Sequence, residues 1–117
     1  MFISREELAW VAGFFDGEGC FTLRKQNGRY YAQASTTQTD REVLDKCVRI
    51  AGLGNVTGPT KPSRTRVYQG FHCKPRYSWQ VCGLEKTQAL VAMLWQWLGS
   101  RKREQAMRML QLHGQVC

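Results

Sequence analysis

No acidic residue occurs between Gly19 and Thr39, and none between Lys46 and Leu84. Those two stretches carry Arg24, Lys25, Arg29, Lys46, Arg49, Lys61, Arg64, Arg66, Lys74 and Arg76. One face or layer of the fold is therefore expected to be strongly positive, as a polyanionic partner requires. No apolar run approaches the ~18 residues of a membrane span. The 5 cysteines, Cys20, Cys47, Cys73, Cys82 and Cys117, form no C-x-x-C pair. Their odd number, with no secretory leader, reads as reduced thiols in a cytoplasmic or organellar compartment, not as a disulfide framework. The first residues read as an amphipathic helix containing acids, unlike a secretory or transit signal. There is no low-complexity segment, and Asp16-Gly17-Glu18-Gly19 has no second copy.

What is present is a folding composition on a basic chain. The 117 residues allow one domain, 1–117, with one modest core. Hydrophobic residues make up 43%, with 4 Trp, 4 Tyr and 5 Phe, and the formal net charge is +8. The most informative segment is Trp10 to Phe21, an apolar run that ends at two carboxylates, Asp16 and Glu18, alternating with Gly17 and Gly19. Leu8, Val11, Ala12 and Phe15 recur at helical spacing. Ser4 can cap the start, with Glu7 in the capping-box position. Gly13 falls inside this helix at a cost of roughly 1 kcal/mol against Ala, which suggests that another backbone passes close by. Acids at a helix C-terminus oppose its dipole and call for a cation, for which a metal ion is a natural candidate.

The helix is expected over 5–15. Residues 20–25 alternate as a half-buried strand, Asn27-Gly28 marks a hairpin turn, and 30–38 read as the return strand. A capping box at Thr39-Asp40-Arg41-Glu42 opens a helix carrying Val43, Leu44, Cys47, Val48 and Ile50, with Gly52 as its C-cap. A third strand begins at 55–57. The basic 58–75 segment is either a long loop or holds a further short strand near 66–69. Residues 76–82 alternate as a strand, 87–98 form an apolar helix, and 101–112 a short terminal one. The order is α-β-β-α-β-β-α-α.

Val11 to Gly19 resembles the LAGLIDADG signature of homing endonucleases. The likeness continues in Gln38 with Glu42-Val43-Leu44-Asp45-Lys46, in Tyr77 to Gly83, and in Lys102-Arg103-Glu104-Gln105-Ala106. It implies an α+β fold, the αββαββα half-saddle, whose antiparallel sheet forms the DNA-binding face, with an additional short C-terminal helix. It further implies a homodimer joined through the motif helix, with Val11, Ala12, Gly13, Phe15 and Asp16 at the interface. Glu18 matches the metal-binding acid, where many members carry Asp, and the Gly17 or Gly19 carbonyl is a second candidate ligand. Asp16 matches an acid that is structural in the family and often caps the partner helix. Gln38 and Lys102 match positions that organise water around the scissile phosphates; the bland alternatives are a solvated amide at a strand end and an ordinary basic run. The expected cofactor is Mg²⁺, with Mn²⁺ able to substitute and Ca²⁺ binding without supporting cleavage.

The resemblance puts DNA reading on the sheet, and strand alternation says which residues share that face. Cys20, Thr22, Arg24 and Gln26 share one side. Tyr31, Gln33, Ser35 and Thr37 join them, and Thr57, Lys61, Arg76, Ser78 and Gln80 extend the surface. Arg pairs well with guanine and Gln with adenine. Arg29, Arg64, Arg66 and Lys74 are expected on phosphates. The competing reading is an ordinary solvated sheet. His72-Cys73, with no second pair, is a poor zinc site, and Trp79, Trp95 and Trp97 read as core. Trp10 lies either beside a dimer seam or under the last helix. The expected activity is a sequence-specific double-strand DNA endonuclease on a long pseudo-palindromic site, encoded in a mobile intron or similar element. The rival is a non-cleaving nucleic-acid binder on the same scaffold, a maturase or repressor.

Overall fold

The computed structural model describes residues 3–60 and 75–116. Helix α1, Arg5–Glu18, begins at Ser4, whose hydroxyl accepts from the Glu7 N–H at 3.1 Å and donates to the Glu7 carboxylate at 3.1 Å. The helix does not stop at Phe15. It runs through Asp16 and Gly17 to Glu18, because the Gly19 N–H still donates to the Phe15 carbonyl. Strand β1, Gly19–Gln26, follows with no intervening loop. Asn27 and Gly28 both have positive φ, 53° and 78°, the backbone of a tight hairpin turn, and β2, Arg29–Gln38, returns.

Helix α2, Arg41–Ala51, is capped by Asp40, whose carboxylate accepts from the Glu42 N–H at 3.0 Å. The cap thus sits one residue later than the Thr39 capping box. The Thr39 N–H donates to the Gln38 side chain at 3.0 Å. Gly52 ends α2 in the left-handed region at φ 68°. Gly54, also left-handed, is needed for packing as well, since a Cβ there would run into the Gln80 carbonyl. Strand β3 is Asn55–Thr60 and β4 is Arg76–Cys82. Helix α3, Leu84–Leu94, starts earlier than the expected Thr87, because the Gly83 carbonyl already accepts from the Thr87 N–H. It tightens into a 3₁₀ turn at Trp95–Trp97 rather than continuing to Leu98. Helix α4, Ser100–Val116, is longer at both ends than the short terminal helix expected.

The four strands form one antiparallel sheet in the order β1-β2-β4-β3. One face packs against α1, α2 and α3, while α4 lies along β1. Phe15 is the hub of the core: its ring meets Phe21 at 4.7 Å and Trp79, edge-on, at 6.3 Å. The buried Trp79 indole donates to the Leu53 carbonyl at 3.0 Å, which satisfies its one polar atom. Thr87, fully buried, brings its hydroxyl to the Ala32 and Val81 carbonyls and so ties α3 to two strands. Burial pushes the Cys47 thiol up to about 12 against the opposing pull of Lys46, so it stays protonated and unreactive at neutral pH. Among the described residues no helix is long and apolar enough to cross a membrane.

Candidate nucleic-acid interface and metal centre

The sheet register gathers the expected reading residues onto one surface. Cys20, Thr22, Arg24 and Gln26 stand opposite Ser35, Gln33, Tyr31 and Arg29. Gln33, Ser35 and Thr37 stand opposite Cys82, Gln80 and Ser78. Thr57 faces Ser78, and Arg76 closes the row against Thr60 across a bulge. Paired residues of antiparallel strands project to the same side, so this is the face away from Phe21, Ala34, Trp79 and Val81. Arg29 joins it directly opposite Gln26. Asn55 and Cys82 also belong to it, by continuing the period-two count through Thr57 and Gln80. No carboxylate stands on it among the described residues. Tyr31 is exposed, whereas Gln33 is held at 7% exposure between its neighbours. Lys61, Arg64, Arg66 and Lys74, the strand considered near 66–69, and the His72-Cys73 pair lie outside the described residues.

The end of α1 meets the start of α4. The Asp16 carboxylate accepts from the Gly99 N–H at 2.8 Å. A partner helix was expected for this acid, but its bond falls within the chain, where it holds the residue that precedes α4. A polar groove of about 450 Å³ opens there, lined by Asp16, Gly17, Gly99, Ser100, Arg101, Lys102 and Gln105. Lys102 therefore shares a groove with Gly17, next to Glu18. Its neighbour Arg103 is committed elsewhere: its Nε donates to the Trp95 carbonyl at 2.9 Å and its guanidinium lies 5.2 Å from the Trp95 ring centre. Gln38 is not part of this groove. It ends β2 in the alternation of buried Thr36, not of Thr37, and its side-chain oxygen accepts from Thr39.

Val11, Ala12 and Phe15, expected at a dimer contact, face the interior of the single chain. All three are 0% exposed and belong to the chain's own core. The open side of α1 carries Gly13 and Gly17, and a Cβ at either would meet nothing within 4 Å among the described residues. Trp10 shares the Gly13 and Gly17 side of the helix by the i, i+3, i+7 spacing. It stacks on Phe14 at 5.9 Å, and the Lys46 ammonium sits 3.9 Å above its ring.

Glu18 is exposed at the helix-strand junction, and its backbone carbonyl accepts from the Thr36 hydroxyl at 3.2 Å. Its carboxylate makes no hydrogen bond or ion pair among the described residues. Among the described residues no cluster of three or more His, Cys, Asp or Glu side chains occurs. One chain thus offers one uncommitted carboxylate plus backbone carbonyls. That thin oxygen set suits a hard cation which keeps most of its waters, as Mg²⁺ does, and suits a softer, thiolate-seeking metal poorly.

Residues 5–70, more than half of the chain, match the LAGLIDADG-like domain family. The chain belongs to the LAGLIDADG family. No curated protein matches it in sequence. Solved structures of the family share its fold. The homing endonuclease I-CvuI, in complex with the I-CreI target in the presence of Mg and with its DNA not cleaved, is 21% identical at a TM-score of 0.72. That match covers 96% of this chain and 68% of the other. The archaeal intron-encoded homing endonuclease I-Vdi141I, complexed with DNA, is 18% identical at 0.66, covering 93% and 67%. The homing endonuclease I-TnaI is 22% identical at 0.66, covering 91% and 70%. At these identities the likeness is one of fold. The mixed α/β architecture with a four-stranded antiparallel sheet is the LAGLIDADG fold.

Proposed function

We propose that this LAGLIDADG protein is a homodimeric, divalent-metal-dependent endonuclease that cuts both strands of a long pseudo-palindromic DNA site. The observation that carries the proposal is the α1–β1 junction. It presents one uncommitted carboxylate, Glu18, at the end of a helix whose open side is glycine, next to a groove that holds Lys102. Two chains joined along that open side bring two such carboxylates together and double the thin ligand set of one. When bound there, a divalent ion supplies charge neutralisation on a phosphate oxygen and a more acidic water. Lys102 stands ready to balance negative charge that develops on the phosphate. The carboxylate-free sheet face supports the duplex as partner: Arg24, Gln26 and Arg29 offer base-edge donors, and Thr22, Ser35, Ser78 and Gln80 extend the ribbon. Arg76 reaches the same surface. I-CvuI, solved on DNA once with Mg and once with Ca, and I-Vdi141I, solved on DNA, support the same reading.

The test is a randomised duplex library challenged with Mg²⁺, Mn²⁺ and Ca²⁺. Cutting with Mg²⁺ and Mn²⁺, and binding without cutting in Ca²⁺, is the expected result. A wild-type protein that binds duplex DNA yet never cuts in any of them belongs instead with the non-cleaving binders.

The dimer has a test of its own. Gly13→Ala relieves a mid-helix glycine and should stabilise the isolated chain by up to about 1 kcal/mol. The same methyl group obstructs a helix packed against that side. We expect the variant to melt higher at low concentration and to dimerise more weakly in light scattering. Equal or tighter dimerisation would remove Gly13 from the seam.

A further inference from the structure

Two hydrogen bonds between distant parts of the chain frame the groove. Asp16 accepts from the Gly99 N–H at 2.8 Å, and the Gln105 side-chain oxygen accepts from the Phe21 N–H at 2.8 Å. Glu18 lies between Asp16 and Phe21 in one segment; Lys102 lies between Gly99 and Gln105 in the other. The two ties thus close a ring around the two residues. The second tie has a purpose that sheet pairing does not explain. Strand β1 is a sheet edge, and the Phe21 N–H is an outward donor that a side chain of α4 satisfies. The first turn of α4 is fixed from a third direction by Arg103, bonded to the Trp95 carbonyl. The Gly99 carbonyl accepts from the Arg103 N–H at 3.0 Å, so displacing Gly99 displaces that turn.

We propose that Gln105 and Asp16 are positioning residues that set the register of Lys102 against Glu18. The inference rests on the nuclease reading only in giving Lys102 a task; the clamp itself is a property of the free chain. Lys102 has a long, flexible side chain, so its ammonium is only as well placed as the backbone that carries it. A misplacement of about 1 Å can cost roughly a hundredfold in rate. The clamp also locates the signal in the sequence: Gln105 stands three residues beyond Lys102, one helical turn along α4.

The experiment compares Gln105→Met, which removes the acceptor, with Gln105→Glu, which keeps one, each with and without Lys102→Met. We expect Gln105→Met to slow single-turnover cutting at saturating protein by about 10- to 100-fold. DNA affinity in Ca²⁺ and the melting temperature should stay close to wild type. Gln105→Glu should recover most of the rate. In the Lys102→Met background, Gln105→Met should add little, because both act through one group. Full multiplicative loss in that background, or no loss in the single variant, overturns the proposal. A second readout needs neither metal nor cutting. The ¹³C order parameters of the Lys102 side chain should fall in Gln105→Met and Asp16→Ala but not in Gln105→Glu. If wild type binds DNA without cutting, the nuclease reading fails while this measurement still decides the clamp. Unchanged order in all variants overturns it.

Discussion

The Glu18→Gln protein is expected to bind its duplex as tightly as wild type and to leave it uncut. Gln keeps the size and one carbonyl oxygen of the side chain but removes the charge. Glu18 is exposed and makes no side-chain hydrogen bond within the described chain, so its loss leaves no buried partner unsatisfied and the fold should not respond. Its backbone bond with Thr36 is unaffected by the substitution. What is lost is the anionic ligand for the cation. Charge stabilisation by a bound divalent ion is worth several kcal/mol in the transition state, so cutting should fall by at least about a thousandfold. The measurement pairs gel-shift affinity in Ca²⁺ with single-turnover cutting in Mg²⁺. A Glu18→Gln protein that cuts within tenfold of wild type would place the metal ligands elsewhere.

Trp79→Ala carries the largest expected loss of stability. Trp79 is 1% exposed and is the largest fully buried side chain. It stands edge-on to Phe15, and its indole N–H occupies the Leu53 carbonyl at the entry to β3. Removal takes away apolar contact and leaves a cavity, a loss of about 3–5 kcal/mol, and strands an acceptor as well. Against a total stability of roughly 5–15 kcal/mol for a domain, that is a large fraction. The melting temperature should drop by roughly 15 °C. Thermal unfolding followed by circular dichroism checks this, and a drop below about 5 °C would mean that the core relaxes around the gap. The position lies on the opposite side of the sheet from the polar face, so DNA contacts by the surviving folded fraction should be intact.

Much of this was readable in the chain because period-two and period-3.6 patterns report directly on burial. The alternation of Tyr77, Trp79 and Val81 against Arg76, Ser78 and Gln80 bounded β4 as observed. Asn27-Gly28 marked the hairpin, since few residues tolerate positive φ at two successive positions. What spacing left open has a common physical source. Val11, Ala12 and Phe15 form an apolar stripe that serves either the chain's own core or a second chain, and spacing alone does not distinguish the two uses. The three-dimensional fold does, by putting them at 0% exposure and leaving Gly13 and Gly17 outward. The Asp16–Gly99 and Gln105–Phe21 bonds join residues more than eighty apart, and no local rule announces such pairs. Thr39 and Asp40 are adjacent residues that could both fill the cap, and the helix begins one residue later, at Arg41, so Asp40 fills it.

The pleat of the sheet divides labour between neighbouring residues. Phe21 and Leu23 answer to the interior, whereas Thr22 and Arg24 between them answer to the surface. A substitution at Thr22, Arg24, Gln26 or Ser78 changes no volume in the interior, so the cost of folding does not veto it. Drift can therefore explore new recognition chemistry on one side of the sheet while the other side keeps the chain folded. Such a protein can follow a changing target by single steps, none of which has to pass through an unfolded ancestor.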